Sequence, residues 1–135
     1  MTTLKNNVLP VFLNFINYLV SLFNIKWVPG RLGTGYYKKL LLESERFNFD
    51  VYLLKFPEGS YADKHRDYAP EGYEHHRINM LLNENFSGGK FIMNSKAQTG
   101  RAFRFRPDKF THRVSKVKEG TRYVLSIGWL KKEQV

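Results

Sequence analysis

The feature that most constrains this chain is a series of short β-forming runs, each closed by turn residues, that begins at Phe47 and continues almost to the end. Runs this short are not helices of ordinary length, and strands this short need several neighbours before they can bury a face. The spacing predicts strands over residues 47–56, 61–67, 77–82, 90–94, 102–106, 110–117 and 121–130. Turns are expected at Pro57-Glu58-Gly59, over residues 68–74 and 83–89, and at Lys118-Glu119-Gly120. No repeat, low-complexity tract or linker interrupts the series. Many strands behind one or two helices predict a mainly β domain, a sandwich or barrel of jelly-roll type.

The helix comes first. Residues 8–23 are strongly apolar, yet Asn14, Asn17, Ser21 and Asn24 recur at spacings of three, four and three and fall on one helical face. Phe12, Phe15, Ile16, Leu19, Val20 and Phe23 fill the rest. About sixteen residues are short for a bilayer crossing, and no small-residue cleavage site follows. The pattern predicts a helix packed on the outside of a sheet, with a peripheral membrane anchor as the alternative and no transmembrane segment. Pro29, Gly30, Gly33 and Gly35 mark a loop, and a short helix is expected over residues 37–42. With 135 residues the chain predicts one domain, residues 1–45 giving helical support and residues 46–131 the β core, in a cytoplasmic protein.

Composition removes whole classes of chemistry. Without cysteine there is no disulfide framework, thiolate zinc site, iron–sulfur cluster or cysteine nucleophile. Lys plus Arg number 22 against 12 acidic residues, a formal charge of +10. That balance favours nucleic acid, an anionic membrane or an anionic small molecule as partner; its other reading is a protein kept dispersed by charge.

His65-Arg66-Asp67 is the first chemical signal. In a strand, residues i and i+2 share a face, so an imidazole and a carboxylate can reach one ion. One further histidine would complete the two-histidine-one-carboxylate set that leaves coordination positions open. The second signal is the expected terminal hairpin. If Val117 pairs with Thr121 across the Lys118-Glu119-Gly120 turn, His112 lies opposite Ser126 and Lys116 opposite Arg122. His112, Arg122 and Ser126 then face one way, and Tyr123, Leu125, Ile127 and Trp129 face an apolar layer. Histidine and arginine would sit roughly 13 Å apart along the strands. A charged group on an interior face needs a partner or a ligand, and a five-carbon diacid spans such a gap.

Taken in order, these pieces resemble the 2-oxoglutarate/iron(II)-dependent oxygenase superfamily. The resemblance covers residues 51–129: His65-Arg66-Asp67, Arg77-Ile78-Asn79, Ser87-Gly88-Gly89-Lys90-Phe91, Phe105-Arg106-Pro107, Phe110-Thr111-His112, Gly120-Thr121-Arg122 and Gly128-Trp129. The Gly-Gly turn and closing Trp are most similar to the prolyl-hydroxylase-like branch, which usually has lysine where this chain has Arg122. The resemblance implies a double-stranded β-helix, a cupin-like barrel, with iron(II) held by His65, Asp67 and His112. It implies that Arg122, helped by Ser126, Tyr52 and Asn79, holds 2-oxoglutarate. With O2, 2-oxoglutarate would go to succinate and CO2 while a substrate is hydroxylated or oxidatively demethylated. Tyr68, Tyr73, His76 and Arg77 are the candidates to touch substrate, with His75 beside them. A cupin-like metal-binding protein without turnover is the rival expectation. The substrate is expected to be a peptide, a small molecule or a nucleic acid, the last from the basic residues between Lys96 and Lys118.

Overall fold

The computed structural model describes the backbone of residues 2–134 and the side chains of residues 10–21 and 24–134. One helix, α1 (Thr2–Asn24), precedes twelve strands. These are β1 (Val28–Pro29), β2 (Tyr37–Ser44), β3 (Phe49–Phe56), β4 (Ala62–His65), β5 (Tyr73–Leu81), β6 (Phe86–Gly88), β7 (Phe91–Met93), β8 (Lys96–Ala97), β9 (Ala102–Phe105), β10 (His112–Val114), β11 (Val117–Gly120) and β12 (Arg122–Lys132). A six-stranded sheet runs β1-β2-β3-β12-β5-β9, a four-stranded sheet runs β4-β10-β7-β8, and β11 pairs with β6. The expected mainly β, jelly-roll architecture is what forms.

β12 organises the larger sheet, since β3 and β5 flank it and satisfy its backbone on both sides. Its burial alternates. Arg122, Val124, Ser126 and Gly128 face inward and are buried, while Tyr123, Leu125, Ile127 and Trp129 face out and are half-buried. The core lies between the sheets, where Phe56 and Phe105 of the large sheet meet Phe91 and Val114 of the small one. Phe91 packs against Phe103 and Phe105 with ring centroids 4.7 and 5.0 Å apart. Burying a side chain of this size stabilises by roughly 1.5–3 kcal/mol.

Four expectations are corrected. Residues 37–42 are not helical: Tyr37–Ser44 is β2, antiparallel to β3 with an irregularity between Leu40 and Leu42, so the sheet begins before residue 46. Its Lys and Leu residues favour helix on their own, and the open edge of β3 overrides that preference. The strand expected over 77–82 begins at Tyr73, which draws Tyr73 and Glu74 out of the expected loop. The terminal hairpin does not form. β10 pairs with β4 and β7, β11 pairs with β6, and β12 pairs elsewhere. Ser126 therefore faces Tyr52 and Asn79 rather than His112, and Arg122 faces Phe56 rather than Lys116. The chain changes sheet at Ser115-Lys116, where Ser115 N–H donates to the Lys90 carbonyl (2.9 Å) and Gly89 N–H to that of Lys116 (3.1 Å). Finally, α1 is expected to pack on the outside of a sheet, and among its described side chains no such apolar packing forms. Its described apolar side chains are exposed, Val11 by 69 % and Phe15 by 56 %. Periodicity shows that a helix has an apolar face and not what that face meets. Phe23 lies outside the described side chains.

Candidate metal centre

The small sheet brings the two histidines together. His65 ends β4 and is the register partner of His112, which opens β10. Their rings sit 4.3 Å apart, centre to centre. Asp67 lies just past the strand, where its backbone N–H donates to the carbonyl of buried Pro107 (2.8 Å), so its main chain is fixed beside the two histidines. His65 Nε2 is 3.7 Å from Asp67 Oδ1, and His112 Nε2 is 3.5 Å from Asp67 Oδ2. One donor atom from each residue lies within 4.8 Å of the others, so the three could hold one metal ion.

The ring orientations suit that role. His65 Nδ1 contacts the Asp63 carbonyl at 2.6 Å and His112 Nδ1 the Phe110 carbonyl at 3.1 Å. A carbonyl only accepts, so each Nδ1 carries a proton, and in the neutral imidazole that leaves Nε2 as the atom free to ligate. Burial pushes the His65 pKa down, which keeps the imidazole neutral and able to ligate. Burial pushes Asp67 up. Once the imidazoles are protonated in acid, the hydrogen bond from His112 and the charges of His65, His112 and Arg31 outweigh it and hold the carboxyl at about 2. Arg31 is a partner the sequence reading missed: its Nη2 donates to Asp67 Oδ1 at 2.8 Å. No local pattern marks a lone arginine in a Gly-rich loop.

A cavity of about 290 Å³ opens from these three residues between the sheets. Arg122 lines it and is only 5 % exposed. Among the described residues no carboxylate or hydrogen-bond acceptor meets its guanidinium, which lies 5.2 Å from the Phe56 ring centre. Burial alone pushes its pKa down to about 10. Among the described residues no buried side-chain nitrogen or oxygen is sealed off without a partner, so the guanidinium is left facing the cavity. Gly89 makes room for it: a Cβ there would lie 3.0 Å from Arg122 Cδ.

Arg77 lines the same cavity and is fully engaged. Nη2 pairs with Asp50 and Nη1 donates to Ser126 Oγ at 2.8 Å, which in turn donates to Asn79 Oδ1 at 2.6 Å. Tyr52 lies beneath, its ring centre 5.8 Å from the Arg77 guanidinium carbon. Gly128 permits this, because a Cβ there would fall 2.2 Å from Arg77 Nη2. Asp50 was also missed, although it shares the inward parity of Tyr52. His75 lines the cavity, whereas His76 faces outward, stacked on Trp129 with ring centres 5.7 Å apart and bonded to Glu74 (2.9 Å). Tyr68 is 83 % exposed, and neither it nor Tyr73 lines the cavity. Within the basic stretch three arginines have neighbours of their own. Arg106 is held by Asp108, Arg101 lies near Glu84, and Arg104 sits over Trp129.

No family model matches the sequence, and no curated protein matches it. Solved structures do match in shape. A prolyl-4-hydroxylase from Pseudomonas putida aligns with a TM-score of 0.61 at 16 % identity, over 81 % of this chain and 79 % of its own. An oxidoreductase of the 2OG-Fe(II) oxygenase family from Burkholderia pseudomallei gives 0.61 at 12 % identity, over 83 % and 74 %. The cupin domain of Schizosaccharomyces pombe Cnp3 gives 0.59 at 9 % identity, over 79 % and 69 %. The fold is a double-stranded β-helix of the cupin kind. Identities this low establish the fold and leave the reaction to the chemistry of the site.

Proposed function

We propose that this chain is a single-domain iron(II)- and 2-oxoglutarate-dependent oxygenase. The observation that carries the reading is Arg122, a buried guanidinium without an anionic partner among the described residues, in the cavity that also holds His65, Asp67 and His112. A buried cation without a partner is costly, and a ligand carboxylate removes the cost by accepting two parallel N–H bonds.

In this reading His65, Asp67 and His112 would hold the ion, a three-residue donor set that leaves coordination positions for other ligands. Bound there, iron(II) and 2-oxoglutarate would supply the oxidising chemistry, with O2 divided between succinate and the oxidised substrate as CO2 leaves. The remaining roles belong to the chain. The Asp63 and Phe110 carbonyls orient the imidazoles. Arg122 takes the far carboxylate of 2-oxoglutarate, and Phe56, Phe91 and Phe105 keep water from that end. Ser126, Asn79 and Tyr52 line the adjoining wall, with Arg77 and His75 as candidates to touch the substrate. Hydroxylation and oxidative demethylation both suit this arrangement.

The rival is a cupin-like metal-binding barrel without turnover, favoured by the likeness to a cupin domain. Such a barrel has no use for a buried diacid anchor. The experiment supplies Fe(II), O2 and 2-oxoglutarate and measures succinate across peptides, free amino acids and nucleic acids. Succinate formation that disappears in Asp67→Ala supports the oxygenase. A folded, metal-loaded protein that never consumes 2-oxoglutarate across that panel would establish the binding barrel instead.

A further inference from the structure

Away from the cavity, α1 leaves the largest feature unexplained. Val11, Phe12, Phe15 and Val20 are each more than half exposed, at 69, 56, 56 and 54 %. The described link to the barrel is slight: Tyr18 Oη donates to the Leu41 carbonyl at 3.5 Å. A 23-residue helix is about 35 Å long, and an apolar surface of that extent is rarely left to water.

Three observations point to what covers it. First, residues 2–24 contain no Asp or Glu, and the whole chain carries +10. Second, no helix among the described residues is long and apolar enough to cross a membrane. Asn14, Asn17, Ser21 and Asn24 give α1 a polar stripe, which suits a helix lying in an interface rather than through it. Third, the body beside the end of α1 carries a tryptophan between lysines. The Trp27 ring has Lys39 Nζ at 4.7 Å and Lys55 Nζ at 5.4 Å from its centre, and Lys26 adjoins it. Tryptophan with its apolar body and lysines with long stems are the side chains that settle at a bilayer's headgroup level. A second copy of the chain would cover the apolar face but would bring two charges of +10 together. An anionic surface attracts the same charge.

We infer that α1, with Trp27, Lys39 and Lys55, docks the barrel onto an anionic lipid surface, the helix lying in the interface. The inference is independent of the reaction proposed for the cavity.

The test uses the full chain with vesicles of phosphatidylcholine alone or mixed with phosphatidylglycerol, read by co-sedimentation. Binding to the anionic vesicles is expected to exceed binding to the neutral ones by about 10-fold or more and to fall as salt rises. The exposed double variant F12D/F15D leaves the core of the barrel untouched. It is expected to lose vesicle binding by about 10-fold or more while circular dichroism of the β body stays unchanged. The double variant K39E/K55E is expected to lose affinity for the anionic vesicles only, again by about 10-fold or more. Wild-type protein that stays in the supernatant with anionic vesicles at low salt would overturn the inference. So would F12D/F15D sedimenting like wild type. A stable dimer in ultracentrifugation that F12D/F15D dissolves, with no vesicle binding, would assign the face to a second copy instead.

Discussion

Arg122 and Arg77 project into one cavity from two strands of one sheet, yet their surroundings are opposite. Arg77 has a carboxylate, a hydroxyl and an aromatic ring, and the hydroxyl continues to an amide. Arg122 has a phenylalanine ring and open cavity. Burial costs both of them, but only Arg77 has that cost offset within the protein. A saturated arginine holds a wall in place. A bare one is stable only because the fold tolerates it, and it is the one suited to recognise an arriving anion.

The largest expected effect tests the bare member. Arg122→Ala should weaken 2-oxoglutarate binding by about 2–5 kcal/mol, the usual cost of truncating one partner of a buried charge pair. Divalent metal binding at His65, Asp67 and His112 should change little. Calorimetry with a redox-inert metal in place of iron separates the two. Arg122→Lys should fall between, since lysine keeps the charge and loses the planar fork. Unchanged 2-oxoglutarate affinity in a folded Arg122→Ala protein would remove Arg122 as the anchor. The same position makes a second, opposite prediction. Arg122→Met should stabilise the ligand-free protein by about 1–3 kcal/mol in urea unfolding, because it removes a buried charge that has no internal partner. Burial depresses the folded pKa of Arg122 to about 10, so its penalty is fully present below that pH. It is relieved as pH rises from there toward the unfolded value. Met and wild type should therefore converge in stability at the alkaline end.

The saturated member should behave in reverse. Arg77→Ala strands Asp50 and takes a donor from Ser126, so it should cost about 1–3 kcal/mol of stability in the same assay. Its effect on 2-oxoglutarate affinity should be small. Gly128→Ala should reproduce much of this loss without touching a charge, because the new Cβ occupies the space of Arg77 Nη2. If Arg77→Ala weakened 2-oxoglutarate binding as strongly as Arg122→Ala, the two arginines would be joint anchors and the contrast between them would collapse.

The chemistry of the site was more legible in the sequence than the route by which it assembles. His65 and Asp67 stand out because two residues of a strand at i and i+2 share a face, a rule that needs no knowledge of neighbours. Arg122 was found through a hairpin that does not exist. It reaches the cavity because β12 lies between β3 and β5 and turns its even-numbered residues inward, while His112 arrives from the opposite sheet. Pairing between distant strands is set by the whole barrel, and parity within one turn cannot supply it. The same limit hid β2, whose residues prefer helix locally and become strand against β3. Residues 8–23 announced a helix with an apolar face but carried no information on what the face would meet.

Arg31 supplies the smallest effect and a third term for the comparison. It pairs with a metal-binding candidate, Asp67, but its side chain is 61 % exposed, so solvent screens it in a way that neither Arg77 nor Arg122 experiences. Arg31→Ala should cost less than about 1 kcal/mol at neutral pH. The acid side is more informative. Asp67 sits at about 2 in the folded protein, below its ordinary 3.8, so its stabilising contribution is fully present above that ordinary value. It is lost as pH falls from there through the folded value. Burial opposes this depression, and His112 and His65 contribute more to it than Arg31 does. Removing Arg31 should therefore raise the Asp67 pKa only slightly and shift the acid-unfolding midpoint of the metal-free protein slightly upward. His112→Ala should shift it further. Carboxyl carbon chemical shifts of Asp67 followed through an acid titration would check the order. If Arg31→Ala moved Asp67 more than His112→Ala did, the exposed loop rather than the buried imidazoles would control this carboxylate, and burial would not be what ranks the three arginines.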